Sequence, residues 1–392
     1  MRKIWFLLGM GCWLLLTACQ PQVMEVEVTR VVDTSAVTDV IPATPETILI
    51  EVTRLVPQEV TRVVSEEVIV EQTPSPVGSA ARPVQLLFAP TVNTAVLTQR
   101  AQSLIQALSD ATGARFEIGI LDDEQAVIDL LCAAPADTIA FLSGMGYARA
   151  NEQCGAEVTA VGVNNTGQSW QTGMIIVRQD SGIESLADLA GKTWAVPDET
   201  SVPETRYFQA LLVAEGVEPG NMTVVPGDNT AMLAVLNGDV DFASGRFIPP
   251  VMPYEETEWI YGEDDPELWR ATGILPGRSA IGFIIVNGGP DYGGYMVRDA
   301  RSGIYDTNRT VFQDTKILIL TAPIPNQTIA FGANFPVGLA RQVMVILDEF
   351  GDSETCRESL CASDVYGWSG IDLAVDADYE PYRFVLETLN YD

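Results

Sequence analysis

The sequence contains no histidine and few basic residues. Its 392 residues include 22 Lys and Arg against 53 Asp and Glu, for a formal net charge of −31. Without histidine there is no Ser-His-Asp or Cys-His nucleophile, no histidine-bound metal and no imidazole general base. The shortage of positive charge excludes nucleic acid as a partner, because a phosphate backbone is bound through basic surfaces. An enzyme would have to use carboxylates, Tyr, Lys or a Ser-Lys pair instead, and no catalytic or metal-binding motif in the chain matches its required spacing. We expect a protein that is not an enzyme and needs no cofactor or metal.

Long apolar runs are also lacking. The apolar run Ile4–Leu16, which follows Arg2 and Lys3, has 13 residues, too few to span the ~30 Å of hydrocarbon in a bilayer. The segment that follows, Leu16-Thr17-Ala18-Cys19, resembles the lipobox of bacterial lipoproteins. We predict a signal peptide over residues 1–18, a lipid on Cys19 and a lipid-anchored protein on the outer side of the cell membrane. A plain secretory signal or an uncleaved anchor stays open.

Four cysteines follow Cys19, an even number that suits disulfides in an exported protein. They are Cys132, Cys154, Cys356 and Cys361, and three pairings are possible. We favour Cys132 with Cys154 and Cys356 with Cys361, because each pair is local. A zinc site is disfavoured, because the spacings are not C-x2-C.

Residues 19–82 differ in composition from the rest of the chain. They repeat Glu-Val-Thr-Arg at 27–30, 51–54 and 59–62, contain six prolines before residue 77, and have no Phe, Trp or Tyr. Such a segment buries little apolar surface, so we predict an extended tether between the lipid anchor and a folded body. Its alternation of Val with polar residues also suits strands, and a stalk that binds a partner by strand addition stays open.

From residue 83 onward, strand-like and helix-like segments alternate. Val84–Ala89 is apolar and strand-like, and Leu97–Ala111 has a helical period. The alternation predicts an α/β fold with mainly parallel sheets in two lobes. We assign residues 83–177 and 322–392 to the first lobe and residues 178–321 to the second. An aromatic-rich insert, 246–314, would form a lid or a docking surface, although most of its rings are expected to pack within it.

Several segments, in order, resemble a known family. They are Asp180–Thr193, Ala231–Asp241 and Pro323–Asn326, which are similar to the type II periplasmic binding proteins of ABC transporters that bind phosphate, phosphite or phosphonate. The resemblance implies a monomer with a ligand cleft between two lobes. It would capture a small phosphorus oxyanion by closing about hinges near 177–179 and 321–326, and deliver it to an ABC permease and its ATPase.

The resemblance and the fold class also suggest ligand-binding residues. In α/β sheets, ligands lie beyond the carboxyl ends of the strands, where helix N-termini offer N–H groups to an oxyanion. The candidates are Thr91, Asn93, Glu124, Tyr147, Thr200, Ser201, Asn229 and Asp241. Structural roles stay open for several of them: a helix cap for Thr200 and Ser201, a core position for Tyr147, a turn for Asp241 and a solvated surface for Glu124.

Two candidates depart from the pattern of the family. Asn229 stands where the family often has His, and Glu124 stands where it often has Tyr. A carboxylate repels an oxyanion unless it is protonated or paired with a cation. Two alternatives therefore stay open: a binding protein of the same fold for an aminophosphonate or another amine-bearing or organic solute, and an extracellular sensor module.

Overall fold

The structure, a computed structural model, describes residues 48–54, 62–68 and 74–391. The predicted signal peptide and Cys19 lie outside these residues. The strands are β1 (Ile48–Arg54), β2 (Arg62–Val68), β3 (Val84–Phe88), β4 (Phe116–Ile120), β5 (Thr138–Leu142), β6 (Glu157–Asn164), β7 (Trp170–Arg178), β8 (Trp194–Val196), β9 (Met222–Val224), β10 (Phe242–Phe247), β11 (Gly277–Arg278), β12 (Ile284–Val286), β13 (Tyr295–Val297), β14 (Thr315–Leu320), β15 (Ile324–Pro325), β16 (Thr328–Phe331) and β17 (Trp368–Leu373). The α-helices are α1 (Thr94–Thr112), α2 (Glu124–Ala133), α3 (Gly144–Cys154), α4 (Tyr207–Ala214), α5 (Gly227–Asn237), α6 (Val311–Asp314), α7 (Val337–Gly351), α8 (Glu354–Arg357) and α9 (Glu380–Leu389).

The chain divides into two compact units, residues 1–73 and 74–392. In the first unit, β1 and β2 pair antiparallel, with Ile48 opposite Val68 and Arg54 opposite Arg62. This part of the predicted tether is therefore a paired strand structure, which the alternation of Val with polar residues favours. The second unit begins at Pro74, nine residues before the predicted start of the folded body.

The second unit contains two large sheets. The first sheet has the order β17-β6-β16-β5-β3-β4, and its parallel strands are β4, β3 and β5. In β3, Leu86 and Phe88 pack on the face covered by α1 and α7, whereas Leu87 packs on the face covered by α2, α3 and α9. Because successive strand residues point to opposite faces, this short apolar run is buried on both sides.

The second sheet has the order β14-β7-β10-β8-β9. Its central strand β7 carries four fully buried residues in a row. Met174 and Ile176 pack toward α5 and the insert, and Ile175 and Val177 pack in the core that includes Phe208 of α4. A strand of this kind needs both faces covered, which explains why the insert lies against the sheet.

The predicted α/β class is confirmed, but the sheets are mixed rather than mainly parallel. In the first sheet β16 runs antiparallel to β5 and β6, and in the second β7 runs antiparallel to β10 and β14. The reason is the path of the chain. It leaves the first sheet after β6, enters the second sheet at β7, and returns to the first sheet at β16. Strand β7 belongs wholly to the second sheet, although the predicted division placed residues 170–177 in the first lobe.

The insert between β10 and β14 folds around a buried charge cluster. The guanidinium of Arg301, fully buried, forms ion pairs with Asp299 at 2.9 Å and Glu267 at 2.6 Å. Glu267 also pairs with Arg270 and accepts the backbone N–H of Ile317 in β14. These bonds tie the insert to the edge of the second sheet, since a buried charge must stay paired.

Both favoured disulfides are present. Cys132 of α2 is bonded to Cys154 at the end of α3, and Cys356 of α8 is bonded to Cys361. The first bond joins two helices that pack together on one face of the first sheet. In the described ranges, no helix has the length and apolarity needed to cross a membrane, and no cluster of acidic and cysteine side chains forms a metal site.

Candidate functional site

The two sheets face each other across a cleft lined by the carboxyl ends of their parallel strands. From the first sheet, β5 ends at Leu142 and leads through Ser143 into α3. From the second sheet, β8 ends at Val196 and leads through residues 197–201 into a π-helical turn, Val202–Arg206, and then α4. The N-termini of α3 and of the turn before α4 therefore approach the cleft from its two sides, as expected for this class of fold.

A cavity of about 470 Å³, here called the cleft cavity, lies between these two edges. Its first side is formed by α3 and α9, and its second by residues 198–206. The residues that line it are Ser143, Met145, Arg149, Gln171, Asp198, Thr200, Ser201, Val202, Pro203, Arg206, Tyr382 and Tyr391. One arginine comes from each side, and the guanidinium of Arg206 lies 4.8 Å from the ring centre of Tyr391.

Thr200 and Ser201 both lie in the cleft cavity, as the sequence predicts, and both also support the local backbone. The hydroxyl of Ser201 caps the following turn by accepting the N–H of Glu204 at 3.3 Å. Thr200 donates its N–H and its hydroxyl to the carboxylate of Asp198, each at 2.8 Å. These bonds lower the pKa of Asp198 below its usual range, so this carboxylate stays charged beside the cavity.

A second, smaller cavity of about 200 Å³, here called the hinge cavity, lies next to the connection between the sheets. Arg246 from the end of β10 lines it, opposite the amide side chains of Asn164, Asn165, Gln168 and Gln171. Gln171 also lines the cleft cavity. The two cavities therefore share a wall formed by the start of β7.

Arg246 is held between two carboxylates. It pairs with Asp228 of α5 at 3.1 Å and lies 3.8 Å from Glu204. Burial of the Glu204 carboxyl, together with repulsion from Asp228, raises its pKa to about 7, although Arg246 partly offsets both effects. This carboxyl therefore ionises at a higher pH than an exposed glutamate does.

Glu124, a candidate ligand contact, is the first residue of α2, and its carboxylate lies at the N-terminus of α3. Its carboxylate accepts the backbone N–H of Ser143 at 2.5 Å and the hydroxyl of Ser143 at 2.9 Å. Ser143 in turn caps α3 by accepting the N–H of Gly146 at 3.0 Å. A carboxylate of the chain thus takes the N–H of Ser143, a donor that an oxyanion would use.

Two other candidates take structural positions away from the cleft. Tyr147 is fully buried, and its hydroxyl donates to Asp376 at 2.6 Å. Asp241 accepts the N–H and the hydroxyl of Thr193, each at 2.8 Å. The sequence reading placed Asp241 at the end of a strand, but β10 begins at Phe242 and runs parallel to β8. Asp241 therefore lies at the amino end of the sheet, opposite the cleft.

The remaining candidates lie at helix N-termini. Asn93 caps α1 by accepting the N–H of Ala95 at 3.0 Å, and Thr91 is exposed in the turn before it. Asn229 is exposed in the first turn of α5, where its side-chain oxygen lies beside Gly303 of the insert. The structure thus brings Thr200 and Ser201 together in the cleft cavity and places the other candidates elsewhere along the sheet edges.

The sequence reading missed the arginines of the cleft. Arg149 follows the Ser143 cap by two turns of helix, and Arg206 follows Ser201 within the helical turn that leads to α4. Because the chain has only 22 basic residues, an arginine one or two turns after a strand end was a usable signal. Arg246 lies inside β10 and carried no such signal.

Residues 86–379, about three quarters of the chain, match the family described as the periplasmic substrate-binding protein of phosphonate ABC transporters. Comparison with curated proteins finds no match. One similar structure is a binding protein component of an ABC phosphonate transporter from Pseudomonas aeruginosa, with 15% identity, 81% of this chain and 87% of that chain covered, and a TM-score of 0.39. Another, from Prochlorococcus marinus in complex with methylphosphonate, has 12% identity, 78% and 98% coverage, and a TM-score of 0.39.

The family match agrees with the resemblance seen in the sequence and with the predicted α/β fold. Its members are transport proteins that bind a substrate and are not enzymes. The chain therefore belongs to the family of periplasmic substrate-binding proteins of phosphonate ABC transporters.

Proposed function

We propose that the protein captures a small phosphorus oxyanion in the cleft cavity. The observation that carries this proposal is the presence of two arginines, Arg149 and Arg206, on opposite sides of one cavity that also contains Ser201. A guanidinium matches the geometry of a phosphonate and donates charge-assisted hydrogen bonds. The hydroxyl of Ser201, which lines the same cavity, would supply a further donor.

Capture would proceed by closure of the two halves about the strands that join them. β15 pairs with the start of β7, Ile324 opposite Gln171 and Pro325 opposite Trp170, so the two connections lie side by side. This favours a hinge at 169–171 and 321–326. The hinge first expected near 177–179 does not fit, because Val177 is fully buried in the second sheet. A ligand that contacts both halves would favour the closed state.

We further propose that a lipid on Cys19 anchors the protein to the outer side of the membrane, with residues 19–73 as the tether. From there it would pass its ligand to an ABC permease driven by an ATPase. The large excess of acidic residues over basic ones disfavours adhesion of the body itself to anionic lipid, so a covalent anchor would provide the attachment.

A second candidate ligand bears an amine. Two carboxylates lie at the cleft cavity: that of Asp198 lines it, and that of Glu124 is bonded to Ser143, which lines it. Both oppose a second anion and attract a cation. An aminophosphonate would satisfy both the arginines and the carboxylates. Comparing methylphosphonate with 2-aminoethylphosphonate separates the two ligands, since carboxylate contacts favour only the second.

The test is calorimetric titration of the full-length chain with both phosphonates. Arg206→Gln should weaken binding by roughly tenfold or more, because it removes a charge-assisted contact. Arg115→Gln, an exposed arginine paired with Glu117 just before the edge strand β4, serves as the matched control and should leave the affinity unchanged. Equal affinities for wild type and Arg206→Gln would show that the cleft cavity is not the site.

A further inference from the structure

The largest of the cavities described here lies outside the proposed phosphonate site. It has a volume of about 900 Å³ and is enclosed by the insert segment 249–261, the turn 166–170 and Arg298; we call it the insert cavity. Its size falls within the range of ligand pockets for organic molecules, whereas a phosphonate needs far less space. Neither Arg149 nor Arg206 reaches it.

Three aromatic side chains line the insert cavity, and the contacts of Trp259 hold its ring in place. These side chains are Trp170, Trp259 and Tyr261. The ring of Trp259 packs 5.3 Å from that of Phe247, and its indole N–H donates to the Asp265 carbonyl at 3.2 Å. Flat apolar rings at fixed positions favour a ligand with a flat apolar body, because stacking then costs little conformational entropy.

The backbone of the wall is also fixed. Val251 and Met296 exchange two backbone hydrogen bonds, at 2.9 and 3.1 Å, which join the 249–252 segment to β13. Shortly after β13, the buried Arg301 pairs with Asp299 and Glu267, and Glu267 accepts the N–H of Ile317 in β14. These bonds tie the same region to the second sheet. The cavity is therefore preformed, as ligand pockets usually are.

Arg298 gives this cavity its charge. It is half-buried, and its Nε donates to the Pro249 carbonyl at 2.8 Å, which fixes the guanidinium and leaves both Nη groups available. Among the residues that the structure describes, no carboxylate forms an ion pair with it, unlike Arg246 and Arg301. Burial without a compensating anion lowers the pKa of Arg298. A half-buried charge without a partner is unfavourable. An anionic ligand would supply the partner that Arg298 lacks.

The acidic residues of the cavity lie at its rim. Glu255, Glu258 and Asp372 line it but are exposed, so water and salt screen their charges more strongly than the charge of Arg298. Arg298 attracts a negative charge on the ligand, while the carboxylates of the rim repel it less strongly. A ligand with one negative charge is therefore favoured over a ligand with two.

We infer that the insert cavity is a second ligand site, which takes a monoanionic organic acid with a flat aromatic body, its carboxylate on Arg298 and its ring against Trp170 and Trp259. This site is separate from the one proposed for the phosphorus oxyanion, and it assigns a binding role to the insert.

The test uses three compounds with one ring system: indole-3-acetate, its neutral amide indole-3-acetamide, and the cation tryptamine. Calorimetric titration of the full-length chain should show the acid binding roughly tenfold or more tighter than the amide, and tryptamine binding weakest. Equal binding of acid and amide, tighter binding of tryptamine, or no binding of the acid up to about 5 mM would overturn the inference.

Variants locate the binding site. Arg298→Gln should remove the preference for the acid, while Arg278→Gln, an insert arginine already paired with Asp306, should keep it. Saturating methylphosphonate should not displace indole-3-acetate, and Arg206→Gln should bind it normally. Displacement by methylphosphonate would place the acid in the cleft and overturn the second site while supporting the first. Should Arg298→Gln fail to fold, the ranking of the three compounds on wild type decides the matter.

Discussion

The Glu204 carboxyl offers a quantitative prediction about pH and stability. Its side chain is 16% exposed, and Asp228 and Asp198 raise its pKa while Arg246 lowers it. The pKa rises from 4.5 to about 7, which corresponds to at most about 3 kcal/mol between the two protonation states. The folded protein therefore holds this proton more tightly than the unfolded chain does.

The sign of the pH effect follows. Between about pH 4.5 and 7 the folded state binds more protons than the unfolded state, so this group makes the free energy of unfolding fall as pH rises. The loss of stability caused by ionising Glu204 in the folded protein is complete above about pH 7 and absent below about pH 4.5. Glu204→Gln removes the ionisable proton and should stabilise the protein by about 2 kcal/mol more at about pH 8 than at about pH 5.

The assay is urea unfolding of the full-length chain, followed by circular dichroism at both pH values. The matched control is Glu199→Gln, which changes an exposed carboxyl of the same loop and should alter stability by less than about 0.5 kcal/mol. A Glu204→Gln protein that gains equally at both pH values, or loses stability at the higher one, would refute the reasoning that Glu204 is a buried carboxyl repelled by Asp228.

Two further substitutions test the packing that positions the site. Arg301→Gln should cost about 3–5 kcal/mol in urea unfolding, because it leaves Asp299 buried without its partner; a loss below about 1 kcal/mol would contradict the buried network. Gly173→Ala should lower the melting temperature by several degrees, because a Cβ there would lie 1.8 Å from the Pro203 carbonyl oxygen in the turn before α4. Gly338→Ala, which meets no atom within 4 Å, should leave it nearly unchanged, and equal melting of the two variants would mean that β7 does not pack this closely on the turn.

Much of the fold was readable from local patterns. The apolar runs at β3 and β7 have both faces buried, and the two local cysteine pairs are bonded as favoured. The mixed strand directions were not readable, because they depend on which sheet each strand joins after the chain crosses between them. The residues 170–177 look the same in sequence whether they end one lobe or begin the next.

The site was harder to predict than the fold. The position of Thr200 and Ser201 in the cleft cavity was predictable because they follow a strand and precede a helix, while their contact with a ligand stays a prediction. Tyr147 and Asp241 were misplaced for a different reason. β10 begins at Phe242 and runs to Phe247, so Asp241 stands before the strand and not at its end, and the partner of Tyr147, Asp376, is 229 residues away. Contacts of that range cannot be inferred from spacing.

Thermal unfolding of the full-length chain against a ligand panel tests the central claim most directly. The panel contains methylphosphonate, phosphite and phosphate, with sulfate, acetate and ethylamine for comparison. A ligand at about 100 times its dissociation constant adds about 2.7 kcal/mol and raises the midpoint by several degrees. The account predicts such a shift with at least one phosphorus oxyanion and its loss in Arg206→Gln. A shift with ethylamine or acetate alone, and none with any phosphorus compound, would contradict it.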